Sequence, residues 1–246
     1  MIILASDTST KSLSVAICDD GVKIKSMTKQ TGTTHSQTHM PAIIDLLKEV
    51  NLDFEDVDLY ASTVGPGSYT GIRIGVSTTK AMAYASKKCA IGVSTLETLA
   101  FPHQGLTSLV CPILDARNRR VFSSAYFAGL MVITEANRTF DEFLSQILDI
   151  VKNDRNVEIV FCGDAASLYR DDLVTNENLK PLIKSGRLQG VVFLETVPEA
   201  VDVAVIALRK FNDEKSDKAK KFDPFLLEAN YLSPSQAERM KNKRGM

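Results

Sequence analysis

The chain is organised around residues 63–87, TVGPGSYTGIRIGVSTTKAMAYASK. Residues 59–64 are apolar and read as a short strand. Gly65-Pro66-Gly67 ends that strand with a sharp turn, because glycine accepts φ > 0 and proline fixes φ. Ser68 is placed to cap a helix, and a long helix is expected to follow despite Gly71 and Gly75. At about 100° per residue, Ile72, Val76, Thr79 and Ala83 fall on one stripe. Gly71, Gly75, Thr78, Met82 and Ala85 fall on the next, and only Arg73, Lys80 and Lys87 form a narrow basic stripe. A surface helix needs a single apolar face, so this one is expected to touch both its own sheet and another helix. Gly67, Gly71 and Gly75 recur at every fourth position. Each interior glycine costs ~1 kcal/mol relative to alanine, so their repetition points to a closely packed backbone. That backbone belongs either to the same chain or to a partner, and the spacing alone does not separate the two.

With 246 residues, 44% of them hydrophobic and 24% charged, the chain can build one large domain or two small ones. A net charge of −1 provides no global basic field of the kind that drives non-specific nucleic-acid binding. Cys18, Cys89, Cys111 and Cys162 are scattered without a CxxC pair. Buried reduced thiols are expected, not a metal or disulfide framework. The opening MIILASDTS has no basic region, and its apolar run is short for a signal peptide. No run approaches the ~20 apolar residues of a membrane span. The expectation is a cytoplasmic chain without a membrane partner.

Residues 2–5 read as a buried strand and 6–10 as a polar turn. Leu13, Val15 and Ile17 alternate with Ser12, Ser14 and Ala16, marking a strand with one buried face. Asp19-Asp20-Gly21 is a hairpin turn into a third strand. A helix follows the loop at 31–34. Pro41 costs ~3 kcal/mol inside a helix but nothing at N3, so either the helix begins there, with Thr38 as N-cap, or it is kinked. Ile91-Gly92-Val93 is a further strand, and Ser94 with Glu97 fits a capping box. Three antiparallel strands feeding parallel strands through helices describe a ribonuclease-H-like α/β layer, not a doubly wound sheet. Residues 102–105 mark a boundary. Beyond it, strands at 109–114, 121–127 and 130–134, a helix at 140–151 and a strand at 157–162 echo the first half. A loop-rich stretch runs through 181–190, with a short strand at 191–194 and a helix at 199–211. The division is thus 1–101, 102–211 and a charged linker and C-terminal segment, 212–246, in which 225–232 docks as an extended stretch and 240–246 forms a basic tail.

Asp7, Thr8, Ser9 and Thr10 end the first strand, where a carboxylate and hydroxyls can hold Mg²⁺-phosphate through waters. Gly163-Asp164, at a strand end in the second half, would face them across a cleft, as in an actin-like nucleotide fold. The plain alternative is two ordinary polar turns. His35 and His39 are spaced i, i+4, a metal-ligand spacing on a helix, but Pro41 argues that the helix starts after His35, and no third ligand lies near. Ser68 and Ser94 lack a His/Asp set for hydrolysis. Asp115, Arg117, Arg119 and Arg120 form a charged hairpin, either a solvated face or a phosphate or tRNA contact.

Residues 63–75, TVGPGSYTGIRIG, are similar to the T-x-G-P-G-S-[FY]-T-G-[LIV]-R-[IV]-G signature of the bacterial TsaB (YeaZ) family. Asp7-Thr8-Ser9, His35-Ser36 with Met40-Pro41, Val93-Ser94-Thr95-Leu96-Glu97, Asp115-Ala116-Arg117, and Tyr231-Leu232 with Pro234-Ser235-Gln236-Ala237-Glu238 resemble the same family in the same order. The resemblance implies two actin-like (ASKHA, ribonuclease-H-like) domains with mixed sheets flanked by helices. It also implies a part in forming N6-threonylcarbamoyladenosine beside the anticodon of tRNAs reading codons that begin with A. In that family the chain is the non-catalytic paralogue of TsaD. It pairs with TsaD through N-terminal helices, works with a TsaE-like ATPase, and forms homodimers when alone; any tRNA contact would come through the complex. TsaD relatives carry an H-x-x-x-H metal motif just after the strand matching residues 91–93, where this chain has Thr95-Leu96-Glu97-Thr98-Leu99. The two-sided helix then places the pairing surface at Met40, Ile43, Ile44 and Leu47 and at Gly71, Gly75, Thr78 and Met82. Gly75→Leu is expected to abolish pairing and leave the fold largely intact. No catalytic residue, metal site or cofactor is assigned. The alternative is an actin-like phosphotransferase or ATPase binding ATP or ADP with Mg²⁺ at Asp7, Thr8, Thr10, Gly163 and Asp164.

Overall fold

The structure, a computed structural model, describes residues 1–30, 34–105, 107–153, 157–177, 179–186 and 188–232. Most of the loop expected at 31–34, the 234–238 motif and the 240–246 tail lie outside the described residues. Strands β1 (Ile2–Asp7), β2 (Ser12–Asp19), β3 (Val22–Gln30), β4 (Leu59–Gly65) and β5 (Cys89–Ser94) form one sheet in the order β3-β2-β1-β4-β5. The first three pair antiparallel, while β4 and β5 join them in parallel. Asp20 and Gly21 both take positive φ, +46° and +80°, the geometry a two-residue hairpin requires.

A second sheet repeats this plan. β6 (Ser108–Asp115), β7 (Arg120–Phe127), β8 (Leu130–Thr139), β9 (Val157–Cys162) and β10 (Leu188–Leu194) lie in the order β10-β9-β6-β7-β8. Again three strands are antiparallel and two parallel. The result is a two-sheet, actin-like α/β architecture.

The helices are α1 (His35–Glu49), α2 (Tyr69–Ala85), α3 (Thr95–Ala100), α4 (Phe140–Asn153), α5 (Arg170–Val174), α6 (Leu179–Lys184), α7 (Ala200–Asp213) and α8 (Lys218–Lys221). One face of the first sheet, with Leu4, Leu13, Val15 and Tyr60, packs on Ile43 and Leu47 of α1 and Ile72 and Val76 of α2. The opposite face, with Ile3, Ala5, Ala16 and Val93, packs on Val203, Ala204 and Ala207 of α7. Each fully buried aliphatic chain here contributes roughly 1.5–3 kcal/mol. α4 covers the second sheet, with Phe143, Ile147 and Val151 against Leu109, Val121 and Ile159. Leu96 and Leu99 of α3 pack with Val110, Leu114 and Tyr126, joining the two halves.

Three expectations are corrected. α7, placed by sequence order in the second half, completes the core of the first, because its small residues fit the face that α1 and α2 leave open. α1 begins at His35 with Thr34 at its N-cap, and Pro41 sits inside it; burial of Ile43, Leu46 and Leu47 outweighs the proline penalty of ~3 kcal/mol. The stretch read as loop contains α6, and β10 begins at Leu188.

The C-terminal segment is part of the first half. Ala90 N–H donates to Phe222 O at 3.0 Å, Lys80 Nζ to Phe225 O at 3.1 Å, and Asn230 N–H to Val64 O at 2.7 Å. Leu227 is buried in the α1–α2 core. Residues 222–232 thus form a strap along α2, ending where Tyr231 stacks on Tyr69 with ring centroids 4.6 Å apart.

Candidate functional site

The glycines of the central motif meet the turn after β1. A Cβ on Gly67 would lie 2.3 Å from Ser9 O, one on Gly71 2.0 Å from Thr8 O, and one on Gly75 2.5 Å from Thr8 Oγ1. Thr8 Oγ1 donates to Gly71 O at 2.8 Å, and Ser68 N–H donates to Ser9 O at 2.7 Å. Ser68 caps α2 as expected, its hydroxyl accepting from Gly71 N–H. The spacing of these glycines is therefore explained within the chain: a polar turn lies against the helix with no room for a methyl group.

Beneath the turn, Asp7 is fully buried. Its Oδ1 accepts from Ser9 N–H (3.2 Å), Ser9 Oγ (2.5 Å) and Thr63 Oγ1 (2.6 Å). Burial pushes its carboxyl up to about 6, with the hydroxyl bonds working against the rise. Thr8 is buried as well.

A cleft of about 750 Å³ opens between the halves, lined by Thr10, Lys11 and Ser68 on one side and Asp115, Arg117 and Asp164 on the other. Tyr69 and Tyr231 form part of its wall. Asp164 Oδ1 accepts from Asp115 N–H at 3.0 Å. Burial, aided by the Asp115 charge, raises its carboxyl above the ordinary range. Gly163 takes φ +109°, and a Cβ there would meet Ile113 O at 2.3 Å. Its N–H donates to Leu194 O and Thr196 Oγ1, both at 3.1 Å. Of the five residues expected to face one another across a nucleotide site, only Thr10 and Asp164 line the cleft. Asp7, Thr8 and Gly163 lie outside its lining, where their hydrogen bonds hold the two turns.

The charged hairpin is also divided. Arg119 pairs with Asp172 at 2.9 Å, and Arg120 Nε donates to Asn137 at 2.7 Å. Arg117 alone of the three arginines lines the cleft, its N–H donating to Asp115 Oδ1 at 2.7 Å. Arg117, Asn118 and Arg119 take φ of +64°, +54° and +55°, a left-handed run that costs about 1–2 kcal/mol per residue without glycine. Sequence reasoning missed Lys11, Tyr69 and Tyr231 at this cleft; the proximity of residues 69 and 231 is a tertiary fact.

His35 and His39 share α1 after all. His35 Nε2 lies 2.8 Å from Thr10 O. His39 is buried, and burial pushes its imidazole down to about 4. Among the described residues no group of three or more His, Cys, Asp or Glu side chains is placed to hold a metal. No helix among them is long and apolar enough to cross a membrane.

The expected pairing residues are mostly interior. Ile43, Leu47, Met82, Gly71 and Gly75 are buried, Ile44 and Thr78 are half-buried, and Met40 is exposed. The stripe pattern counted apolar residues without knowing which of them the sheet would cover. The outer side of α2 carries Arg73, Ser77, Ala81 and Tyr84, all exposed, flanked by Phe225 of the strap, whose ring meets Tyr84 edge-on at 5.0 Å. Gly75→Leu would drive a side chain into Thr8, so the expectation that it spares the fold is withdrawn.

Residues 25–221 match the family model described as TsaD, tRNA N6-adenosine threonylcarbamoyltransferase. The Bacillus subtilis tRNA threonylcarbamoyladenosine biosynthesis protein TsaB is 30% identical over 208 residues, 82% of this chain and 90% of that protein. The Escherichia coli protein of the same name is 28% identical over 236 residues, 94% and 96% of the two chains. A solved structure of an uncharacterized Pseudomonas aeruginosa protein with similarity to peptidase YeaZ superposes with a TM-score of 0.69. It is 23% identical and covers 94% of this chain and 99% of its own. With its signature helix, its doubled sheet and these matches, the chain belongs to the TsaB (YeaZ) family.

Proposed function

We propose that this chain is a non-catalytic scaffold subunit. It binds and activates a TsaD-like catalytic subunit during formation of threonylcarbamoyladenosine next to the anticodon of tRNAs reading codons that begin with A. The observation that carries this reading is the state of residues 95 and 99. Where the resemblance places histidine metal ligands in the catalytic paralogue, Thr95 and Leu99 are buried, and Leu99 belongs to the apolar core joining the two halves. Neither is a transition-metal ligand of the imidazole or thiolate kind. Of the other candidates for chemistry, Asp7 ties the first turn to Thr63 of β4 and Thr8 ties it to Gly71 of α2.

The partner face is the outer side of α1 and α2, with Met40, Ile44 and Thr78 from the original set, joined by Ser77, Ala81 and Tyr84. A TsaE-like ATPase works on the assembled pair, the free chain self-associates through the same face, and tRNA is met through the complex. The test is co-purification and light scattering with the same organism's TsaD, together with a modification assay from which this chain is omitted. A stable complex, with modification lost on omission and restored by both wild type and Asp7→Asn, supports the proposal. Absence of a complex, together with ATP turnover by the chain alone, overturns it.

A further inference from the structure

We infer that the first turn and a half of α1, residues 35–40, is a separately movable segment that pivots at Pro41 against the rest of the helix. Pro41 has no N–H, so the carbonyl of Gln37 is left without its helical donor, and the ring crowds that same carbonyl. The two sides of this break are seated differently. After it, Ala42, Ile43, Leu46 and Leu47 are all buried in the apolar core against Leu13 and Val15. Before it, His39 alone is buried, while Ser36, Gln37 and Met40 are exposed.

His39 is seated deeply. Among the described residues, both of its ring nitrogens and the hydroxyls of Ser6, Ser62 and Thr79 are buried without a hydrogen-bond partner. Ser6 and Ser62 are register partners on β1 and β4. By strand alternation they share the face of Leu4 and Tyr60, which lies under α1 and α2. Thr34 contributes no side-chain cap to the backbone; among the described residues, the ties beyond the regular helical bonds include Gln37 N–H to Thr34 O at 3.0 Å, Thr34 Oγ1 to Ser36 Oγ at 3.1 Å and the His35 contact with Thr10 O. One half of α1 is therefore held by close apolar packing, while the other buries the single side chain of His39. Such a segment opens at lower free energy than the core behind it.

Met40 rides on the movable half, and Ile44 lies just beyond the pivot. The use of the pivot as an adjustable part of the docking face rests on the proposed pairing; the pivot itself does not, and is measured in the free chain. The experiment is residue-resolved amide hydrogen exchange by NMR on the full chain and on Pro41→Ala. The amides of His39 and Met40 are expected to exchange at least tenfold faster than those of Leu46 and Leu47. Pro41→Ala, at an exposed position, is expected to slow the first group tenfold and leave the second unchanged. Equal protection along wild-type α1 would overturn the inference. So would exchange at His39 and Met40 that Pro41→Ala leaves unaltered, since ordinary fraying of the helix end does not depend on the proline. Co-purification with the TsaD-like partner is scored separately, so loss of pairing and loss of the pivot remain distinct results.

Discussion

Gly71→Ala separates the two explanations for the glycine repeat by the sign of its effect. On an open helix face the substitution stabilises by ~1 kcal/mol through helix propensity alone. Here the new Cβ would lie 2.0 Å from Thr8 O, and Ser68 Oγ is 3.2 Å away. The atom it meets is backbone at the end of a central strand, so no side chain can rotate aside. Either α2 or the Thr8 turn must retreat by about an ångström, an overpacking strain of roughly 1–3 kcal/mol. That retreat also stretches the buried bond from Thr8 Oγ1 to Gly71 O, worth about 1 kcal/mol. Set against the propensity gain, the net loss is about 1–3 kcal/mol. For a chain of this size that lowers Tm by roughly 2–12 °C. Equilibrium urea unfolding of the purified chain, followed by circular dichroism, measures it as a lower midpoint at unchanged slope. A neutral or stabilised variant would refute the close-contact argument and return the glycine repeat to a partner interface.

Asp7 and His39 are expected to give opposing pH dependences. His39, held neutral with its folded value near 4, contributes stability that is full above its ordinary value of ~6.5 and is lost as pH falls towards 4, a span of about 3 kcal/mol. Asp7, raised to about 6, acts in the other sense: its contribution is full below ~3.8 and is lost as pH rises through 6, again about 3 kcal/mol. Between pH 4 and 6 the two variants should tilt in opposite senses relative to wild type, Asp7→Asn falling more steeply on acidification and His39→Leu more steeply on alkalinisation; parallel slopes in the two variants would contradict this. Leu227→Ala should cost about 2–4 kcal/mol, because Leu227 seals the strap into the α1–α2 core; a thermal melt within a degree of wild type would mean that the strap is dispensable. Ser77→Arg, on the exposed outer side of α2, should leave Tm within the ±0.5 kcal/mol of a surface change yet prevent co-purification with the TsaD-like partner; retained pairing would move the docking face elsewhere.

Much of the local structure was legible because it is written in short-range chemistry. The strand–turn–helix around residues 59–85, the Ser68 and Ser94 caps and the Asp20-Gly21 hairpin depend on φ preferences, missing donors and periodicity within a few residues. The doubling of the meander–helix–strand pattern was legible for the same reason. Pro41 was misread because its penalty is local and was weighed alone, whereas Ile43, Leu46 and Leu47 return more on burial than the proline removes.

The sequence by itself determined the fold class, the capped central helix, the need for a backbone pressed against Gly67, Gly71 and Gly75, and the family. Only the tertiary structure decided that this backbone is Thr8-Ser9, that α7 completes the first sheet, and that residues 222–232 strap α2. Likewise it decided that Asp7 lies beneath the cleft while Thr10, Arg117 and Asp164 line it. Periodicity says which residues share a stripe, but burial of a stripe is an energy gained against a surface supplied from elsewhere in the chain. That surface exists only once residues far apart in sequence, such as 8 and 71, 5 and 204 or 69 and 231, have been brought together.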